Sequence, residues 1–263
     1  MTYTHGHHEA VLRSHVWRTA ENSAAYLLPH LRCGSSLLDI GCGPGTITVD
    51  LARLVAPGTV VGVDAAAEVI EQASAHAAAE GVDVAFEVGD VFALRFDDAS
   101  FDVVHAHQVL QHLVDPEAAV RELRRVLRPG GLLAARDSDY GSFTWAPSDP
   151  MLDRWVQLYL AVTERNGHHA RIGPALLGVA HGAGFSDVTV SSSTWTFADP
   201  QSRQWWGGLW ADRVRYTRLA EQAVAYGLST AEELEEIAQA FLRWADSPDG
   251  VYVTPHVEIL ARR

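Results

Sequence analysis

The sequence predicts an α/β fold, a mostly parallel sheet with helices on both faces. Three observations carry that expectation. Strand-like and helix-like runs alternate from Leu37 to Arg136. A glycine-rich turn, Gly41-Cys42-Gly43-Pro44-Gly45, joins the first strand to the first helix. Acidic residues recur at or just past the first three strands, at Asp39, Asp64 and Asp90.

The elements follow in order. Residues 1–34 read as a helical lead-in, with no glycine from Arg18 to His30. Leu37–Gly41 is the first strand and Thr46–Val55 the first helix. Pro57-Gly58 turns the chain into the β-branched run Thr59–Val63, which ends at Asp64. Ala66–Glu80 is an alanine-rich helix closed by Gly81, and Val82–Val88 and Phe101–Ala106 are the next strands. Asp115 caps a helix with Pro116 at its first position, and Val120, Leu123 and Leu127 recur along it at helical spacing. Pro129-Gly130-Gly131 stops that helix and leads into a fifth strand, Leu132–Arg136. Such alternation implies right-handed βαβ units.

After Asp137 the rhythm changes. Residues 139–172 are aromatic and broken by Pro147 and Pro150, which predicts an inserted cap. Pro174–Gly182 reads as a sheet-covering helix and Val188–Phe197 as a strand. Residues 200–245 read as two helices, tryptophan-rich and then glutamate-rich, and Val251–Ala261 closes the chain as a strand. The expectation is a single domain over 1–263, with a core at 35–138 and cap insertions at 139–172 and 199–249.

Acidic residues outnumber basic ones, 33 to 20, for a net charge of −13. That argues against a grip on long nucleic acid, which needs a basic footprint. Two cysteines, Cys33 and Cys42, make neither a disulfide framework nor a cysteine-rich zinc site. No run approaches the roughly 20 apolar residues of a membrane span, and no signal peptide is read at the N-terminus. A cytoplasmic protein without membrane or nucleic-acid partners, monomeric or homodimeric, is expected.

The glycine turn lets the backbone approach a ligand closely, because glycine lacks Cβ and accepts positive φ. The helix beyond it offers unpaired N–H groups. The spacing is G-x-G-x-G, and Asp39 precedes it by two residues. An anion there would repel a pyrophosphate but suit a ligand bearing an ammonium group. Asp64 lies about 20 residues on, where an acid meets a ribose hydroxyl, and Asp90 can accept from an adenine amine.

This stretch resembles motif I of the class I S-adenosylmethionine-dependent methyltransferases. Residues Phe101–Leu113 resemble the segment after motif II in the UbiE-like branch, and Glu122–Gly131 its motif III. The resemblance spans residues 36–138, is weaker over 174–195 and is absent from the two insertions. It implies a Rossmann-like sheet of seven strands with the last antiparallel, and S-adenosylmethionine as cofactor, leaving S-adenosylhomocysteine. By it, Asp39, Gly41, Cys42, Gly43 and Gly45 hold the methionine part. Asp64 and Ala65 meet the ribose; Gly89, Asp90 and Val91 meet the adenine. His107 and Gln108 line the methionine end. Tyr3, His8 and Arg18 read either as closing over the cofactor, with Arg18 pairing its carboxylate, or as a merely structural lead-in. One departure is Leu94-Arg95-Phe96, where the family has Leu-Pro-Phe, which puts the loop shape in question.

Methyl transfer requires alignment of acceptor, methyl and sulfur, and it needs a base only when the acceptor must lose a proton. Candidates for that base are His112, Asp139 and His8, with Asp137, His168 and His169 behind them; for any one of them an ordinary hydrogen-bonded residue is the commoner reading. No metal site is read from the N-terminal histidines. Trp145, Trp155, Trp206 and Trp210, with Trp195 and Trp205 nearby, make either a flat apolar substrate pocket or the packing of the cap. The reading is methyl transfer to a small molecule, aromatic or apolar if the tryptophans line a pocket. An NAD-dependent oxidoreductase, a non-catalytic cofactor-binding protein and a macromolecule methyltransferase are its rivals.

Overall fold

A computed structural model describes residues 17–263; Tyr3 and His8 lie outside the described residues. The chain divides into two compact units. The sheet unit holds the described residues up to Asp137 together with Ile172–Ser192 and His256–Arg263. The helical unit holds Ser138–Arg171 and Ser193–Pro255.

In the sheet unit, β1 (Leu37–Ile40) pairs in parallel with β2 (Val60–Asp64) on one side and β4 (Phe101–His107) on the other. Outside these lie β3 (Ala85–Val88), parallel to β2, and β5 (Leu127–Ser138), parallel to β4. Next to β5 comes β8 (Val251–Arg262), which also pairs with β7 (Asp187–Phe197). Gly130 donates to the Arg263 carbonyl at 2.7 Å while Arg136 bonds Glu258, so β8 runs antiparallel to β5. Between strands come α2 (Thr46–Val55), α3 (Ala67–Ala79), α4 (Pro116–Val126) and α6 (Leu176–Gly182).

Strand alternation builds two cores. Leu38 and Ile40 of β1, Val104 and Ala106 of β4 and Leu133 and Ala135 of β5 pack with Val120 and Leu123 of α4 and Leu176 of α6. Leu37, Val103, Leu132 and Ala134 pack with Leu51 and Val55 of α2 and with Leu27. Successive side chains of a strand point to opposite faces, so both faces are covered. No described helix is long and apolar enough to cross a membrane.

Several local expectations change. The lead-in forms only a short helix, α1 (Ala20–Ser23), and a 3-10 turn at Leu28–His30 among its described residues. Thr19 and Asn22 start α1 with a reciprocal capping box, and Ala24 then leaves helical geometry at φ −135°. The third strand begins at Ala85 rather than Val82, because Val82 N–H still bonds the Ala77 carbonyl at the end of α3. Pro129-Gly130-Gly131 does not precede β5 but lies inside it. The register slips between Phe101↔Leu127 and Val103↔Leu132, and the slipped residues pair with Arg263 instead.

The helical unit has four helices among its described residues: α5 (Pro150–Arg165), α7 (Pro200–Tyr216), α8 (Arg218–Ala225) and α9 (Ala231–Asp246). The stretch read as two helices is thus three. Thr217 breaks the first with extended geometry (ψ 173°) while its hydroxyl donates to the Arg213 carbonyl. A three-residue strand missed in the sequence, β6 (Thr144–Ala146), pairs antiparallel with Val251–Val253.

Candidate functional site

The glycine turn leaves the end of β1 with positive φ at Gly41 (62°), Gly43 (55°) and Gly45 (81°). A Cβ on Gly41 would lie 2.4 Å from the Val109 side chain, and one on Gly45 2.9 Å from the Phe86 ring. Both conformation and space therefore require glycine at these two positions. The N–H groups of Gly41 and Cys42 converge on the Val63 carbonyl, at 2.7 and 3.2 Å. Burial pushes the Cys42 thiol far up, so it stays protonated. Beneath the turn, buried Asp39 accepts from Thr48 Oγ1 of α2 at 2.5 Å and bonds His105 Nδ1 of β4 at 2.7 Å. Both its oxygens thus have partners within the protein, and the carboxylate ties β1, α2 and β4 together.

Asp64 ends β2. One oxygen accepts from Gly43 N–H at 3.2 Å and the other from Ala66 N–H at 3.1 Å, which fixes the half-buried carboxylate beside the turn. Ala65 follows, exposed. Gly89 N–H bonds the Asp64 carbonyl at 3.0 Å; a Cβ there would come 2.7 Å from Val63. Exposed Asp90 accepts from Phe92 N–H at 3.0 Å, with Val91 buried between them. Leu94-Arg95-Phe96 is held from α4: Glu122 accepts from Leu94 N–H, and Arg125 donates to the Leu94 and Phe96 carbonyls. Arg95 itself is exposed.

At the end of β4 the chain turns sharply, with Gln108 at φ 54°. A non-glycine residue there is strained and must be held by its surroundings. Gln108 N–H donates to the Arg136 carbonyl at 2.7 Å, and its side-chain oxygen accepts from Arg18 Nη2 at 2.8 Å. The arginine donor fixes the amide orientation, so Gln108 Nε2 donates to His256 Nε2, 2.8 Å away. His256 must then be unprotonated at that nitrogen. His107 stacks on His256 at 6.4 Å, and burial followed by the Arg18 charge holds it well below the usual histidine range.

Arg136, wholly buried, pairs with Glu258 at 3.2 Å, and Ser191 donates to the other Glu258 oxygen. Asp137 is also wholly buried and accepts from Gln111 N–H at 3.2 Å. Burial raises its carboxyl to about 7. His112 lies half-buried on the same turn, with Nε2 3.2 Å from the Gln111 amide. Among the described residues, His105 Nε2, Gln111 Oε1 and Asp137 Oδ2 are buried with no hydrogen-bond partner. Buried polar atoms seldom stay so without a ligand or water to meet them. They fit a ligand that meets the carboxyl ends of the strands.

Residues 31–168 match a methyltransferase domain family. An uncharacterised methyltransferase of Schizosaccharomyces pombe is 31% identical across 99% of this chain and 96% of its own length. The chain belongs to the methyltransferase family. It is a class I, S-adenosylmethionine-dependent enzyme. The 27-O-demethylrifamycin SV methyltransferase of Amycolatopsis mediterranei is 40% identical over 131 residues, 49% of this chain and 46% of its own. Among solved structures, the YcgJ protein of Bacillus subtilis superposes with a TM-score of 0.60 at 22% identity, covering 92% of this chain and 98% of its own.

The remaining candidates of this methyltransferase lie in the helical unit. Asp139, buried, caps a 3-10 turn by accepting from Gly141 N–H and the Ser142 hydroxyl, with Arg171 at 3.7 Å. His168 is buried, which lowers its pKa; His169 is exposed. Trp155, Trp206 and Trp210 are buried, and Trp145 is half-buried. Trp155 meets Trp210 edge-on at 4.6 Å, Trp206 meets Trp210 at 6.0 Å, and Trp145 stacks on Tyr252 at 5.5 Å. These four belong to one aromatic cluster with Tyr140, Tyr159 and Phe241.

Sequence reasoning missed Thr48, His256, Arg136 and Glu258, and gave His105 no role. Thr48 carried a signal: a threonine in the first turn of the helix after the glycines is placed to reach back to Asp39. His256 and Glu258 carried none, since their strand shows only alternation.

Proposed function

We propose that this methyltransferase moves the methyl group in line onto a small, flat, largely apolar metabolite. The observation that carries the cofactor half is the doubly anchored Asp64 carboxylate beside the positive-φ glycine turn at the end of β1. The acceptor half is supported by the net charge of −13 and by a relative named for a small molecule, 27-O-demethylrifamycin SV; the aromatic cluster of the helical unit packs as core instead.

When bound, S-adenosylmethionine supplies a methyl group on a positively charged sulfur. The glycine turn admits its methionine part and the start of α2 faces it, while Asp39 sets the turn's position through Thr48 and His105. Asp64 accepts from the ribose hydroxyls through lone pairs left beside its two N–H bonds. Asp90 accepts from the adenine amine, next to Val91. Gln108, locked by Arg18 and His256, and His107 bound the methionine end. Such positioning supplies roughly 7–11 kcal/mol of barrier reduction. For an acceptor hydroxyl or ring carbon, His112 takes the proton, since of the two base candidates in the sheet unit its imidazole is half-buried while Asp137 is wholly buried.

The test is turnover against a panel of phenols, quinones and macrocyclic hydroxy compounds, with transfer RNA and bulk protein in parallel. Stoichiometric S-adenosylhomocysteine and a methylated small molecule are expected. Methylation of the macromolecules alone would overturn the acceptor class, and thermal stabilisation by NAD alone would overturn the cofactor placement.

A further inference from the structure

Asp137 is a carboxylate sealed in the sheet unit with no ion-pair partner among the described residues. Its Oδ1 accepts the Gln111 N–H, and the Leu110 N–H also favours the ionised carboxyl, in the turn that begins two residues past Gln108. Those bonds fix the plane of the carboxyl group and leave Oδ2 buried with no partner among the described residues. Arg136, the residue before it, sits in register with His107. Asp137, the penultimate residue of β5, therefore lies one step beyond the carboxyl end of β4, on the side of a parallel sheet where ligands bind. Arg136 is paired with Glu258, whereas Arg18 donates to the neutral Gln108 amide and its charge also acts on Asp137. A bare buried oxygen of negative charge at that place complements a cation that arrives with the ligand.

We propose that Asp137 is the group by which this protein distinguishes the sulfonium of S-adenosylmethionine from the neutral sulfide of S-adenosylhomocysteine. This rests on the cofactor placement above. The amino and carboxyl groups of the two ligands are the same, so their contributions cancel in a comparison and the sulfur charge remains. Because burial raises the Asp137 carboxyl to about 7, it is part-protonated near neutrality. A sulfonium nearby favours the ionised form and draws its pKa down, whereas a sulfide does not. The sign follows: affinity for the donor climbs as pH rises through about 7 and then levels, while affinity for the product does not share that climb. An enzyme working near this pH then grips the charged donor and lets the neutral product leave.

Arg136, Arg18 and Tyr26 act on Asp137 electrostatically; Glu258, His107 and His256 stand against those arginines or Gln108, His112 is on the Gln111 turn, and Asp139 is two residues along the chain. Burial holds His107 neutral and pushes the Tyr26 hydroxyl up, so neither changes charge in this range. His112 is the group that needs a control.

The experiment is calorimetric titration of the full chain with each ligand from about pH 5.5 to about pH 8.5. The expected result is a donor-to-product affinity ratio that rises about tenfold for each unit by which the sulfonium lowers the pKa, with proton release on donor binding. In Asp137→Asn, which keeps the Oδ1 acceptor for the turn, the ratio should be flat; in His112→Gln the rise should persist. A flat ratio in the unaltered protein, or a rise that survives Asp137→Asn, would overturn the proposal while leaving the cofactor placement intact. Should Asp137→Asn not fold, the unaltered protein's ratio and proton release still decide. Failure of both ligands to bind would remove the cofactor placement and this inference together.

Discussion

The sheet unit and the helical unit order their interiors by different means. In the first, the important side chains are polar and each is held by directional bonds: Asp39 by Thr48 and His105, Asp64 by two backbone N–H groups, and Gln108 by Arg18 and His256. In the second, ring meets ring. Trp155 alone packs with Tyr140, Phe143, Trp145, Tyr159, Trp210, Phe241 and Tyr252. A polar site depends on angles and tolerates almost no exchange of residue type. An aromatic core depends on area and volume, so another set of rings could fill it. The first arrangement suits a site built to hold a polar ligand, and the second a packed core.

The sharpest way to separate the regions is Trp155→Ala. Truncating a wholly buried tryptophan at the centre of the cluster should cost about 3–5 kcal/mol of stability, read by urea denaturation. A loss under about 1 kcal/mol would mean that the aromatic cluster is loosely packed and that area is not what holds it.

A second test concerns the buried charge of the sheet unit. The Asp137 carboxyl is raised from its ordinary 3.8 to about 7 in the fold. The folded protein therefore holds a proton there that the unfolded chain has lost. The contribution to stability is fully present below pH 3.8 and disappears as pH rises through about 7. Its slope reaches at most about 1.4 kcal/mol per pH unit. Denaturation curves across that range should show this decline in the unaltered protein and its removal in Asp137→Asn. An unchanged slope in the variant would show that some other group governs it.

The mildest test is Asp64→Ala. Losing a charged acceptor should weaken cofactor binding by about 1.5–3 kcal/mol in calorimetry, with a smaller change in stability because the freed N–H groups of Gly43 and Ala66 can meet water. Unchanged affinity would detach the ribose from the end of β2.

The same contrast explains what could be read in advance. The glycine turn, the helix from Thr46 to Val55 and the Asp115-Pro116 helix start were legible, since each follows from a local backbone requirement. Arg18 and Gln108 were legible as candidates, although not their bond to each other. Local signals failed where the outcome depends on distant partners. Gly130 and Gly131 look like a turn, yet Arg263, more than 130 residues away, draws them into a strand. Thr217 divides a stretch whose composition favours helix throughout. In the aromatic insertions, tryptophan count revealed that something large would be buried, but not whether a ligand or the protein itself would cover it.

Strand β1 contains only four residues, yet it serves two masters in alternation. Leu38 and Ile40 fill the core shared with α4, while Leu37 and Asp39 face the side of α2. Adding or deleting one residue inside it would exchange the two faces, leaving Asp39 against Leu123 and a leucine or isoleucine beside Thr48. The length of this strand is thus fixed more tightly than its composition. One residue added or removed within Leu37–Ile40 would therefore undo both cores and the Asp39 anchor at a stroke.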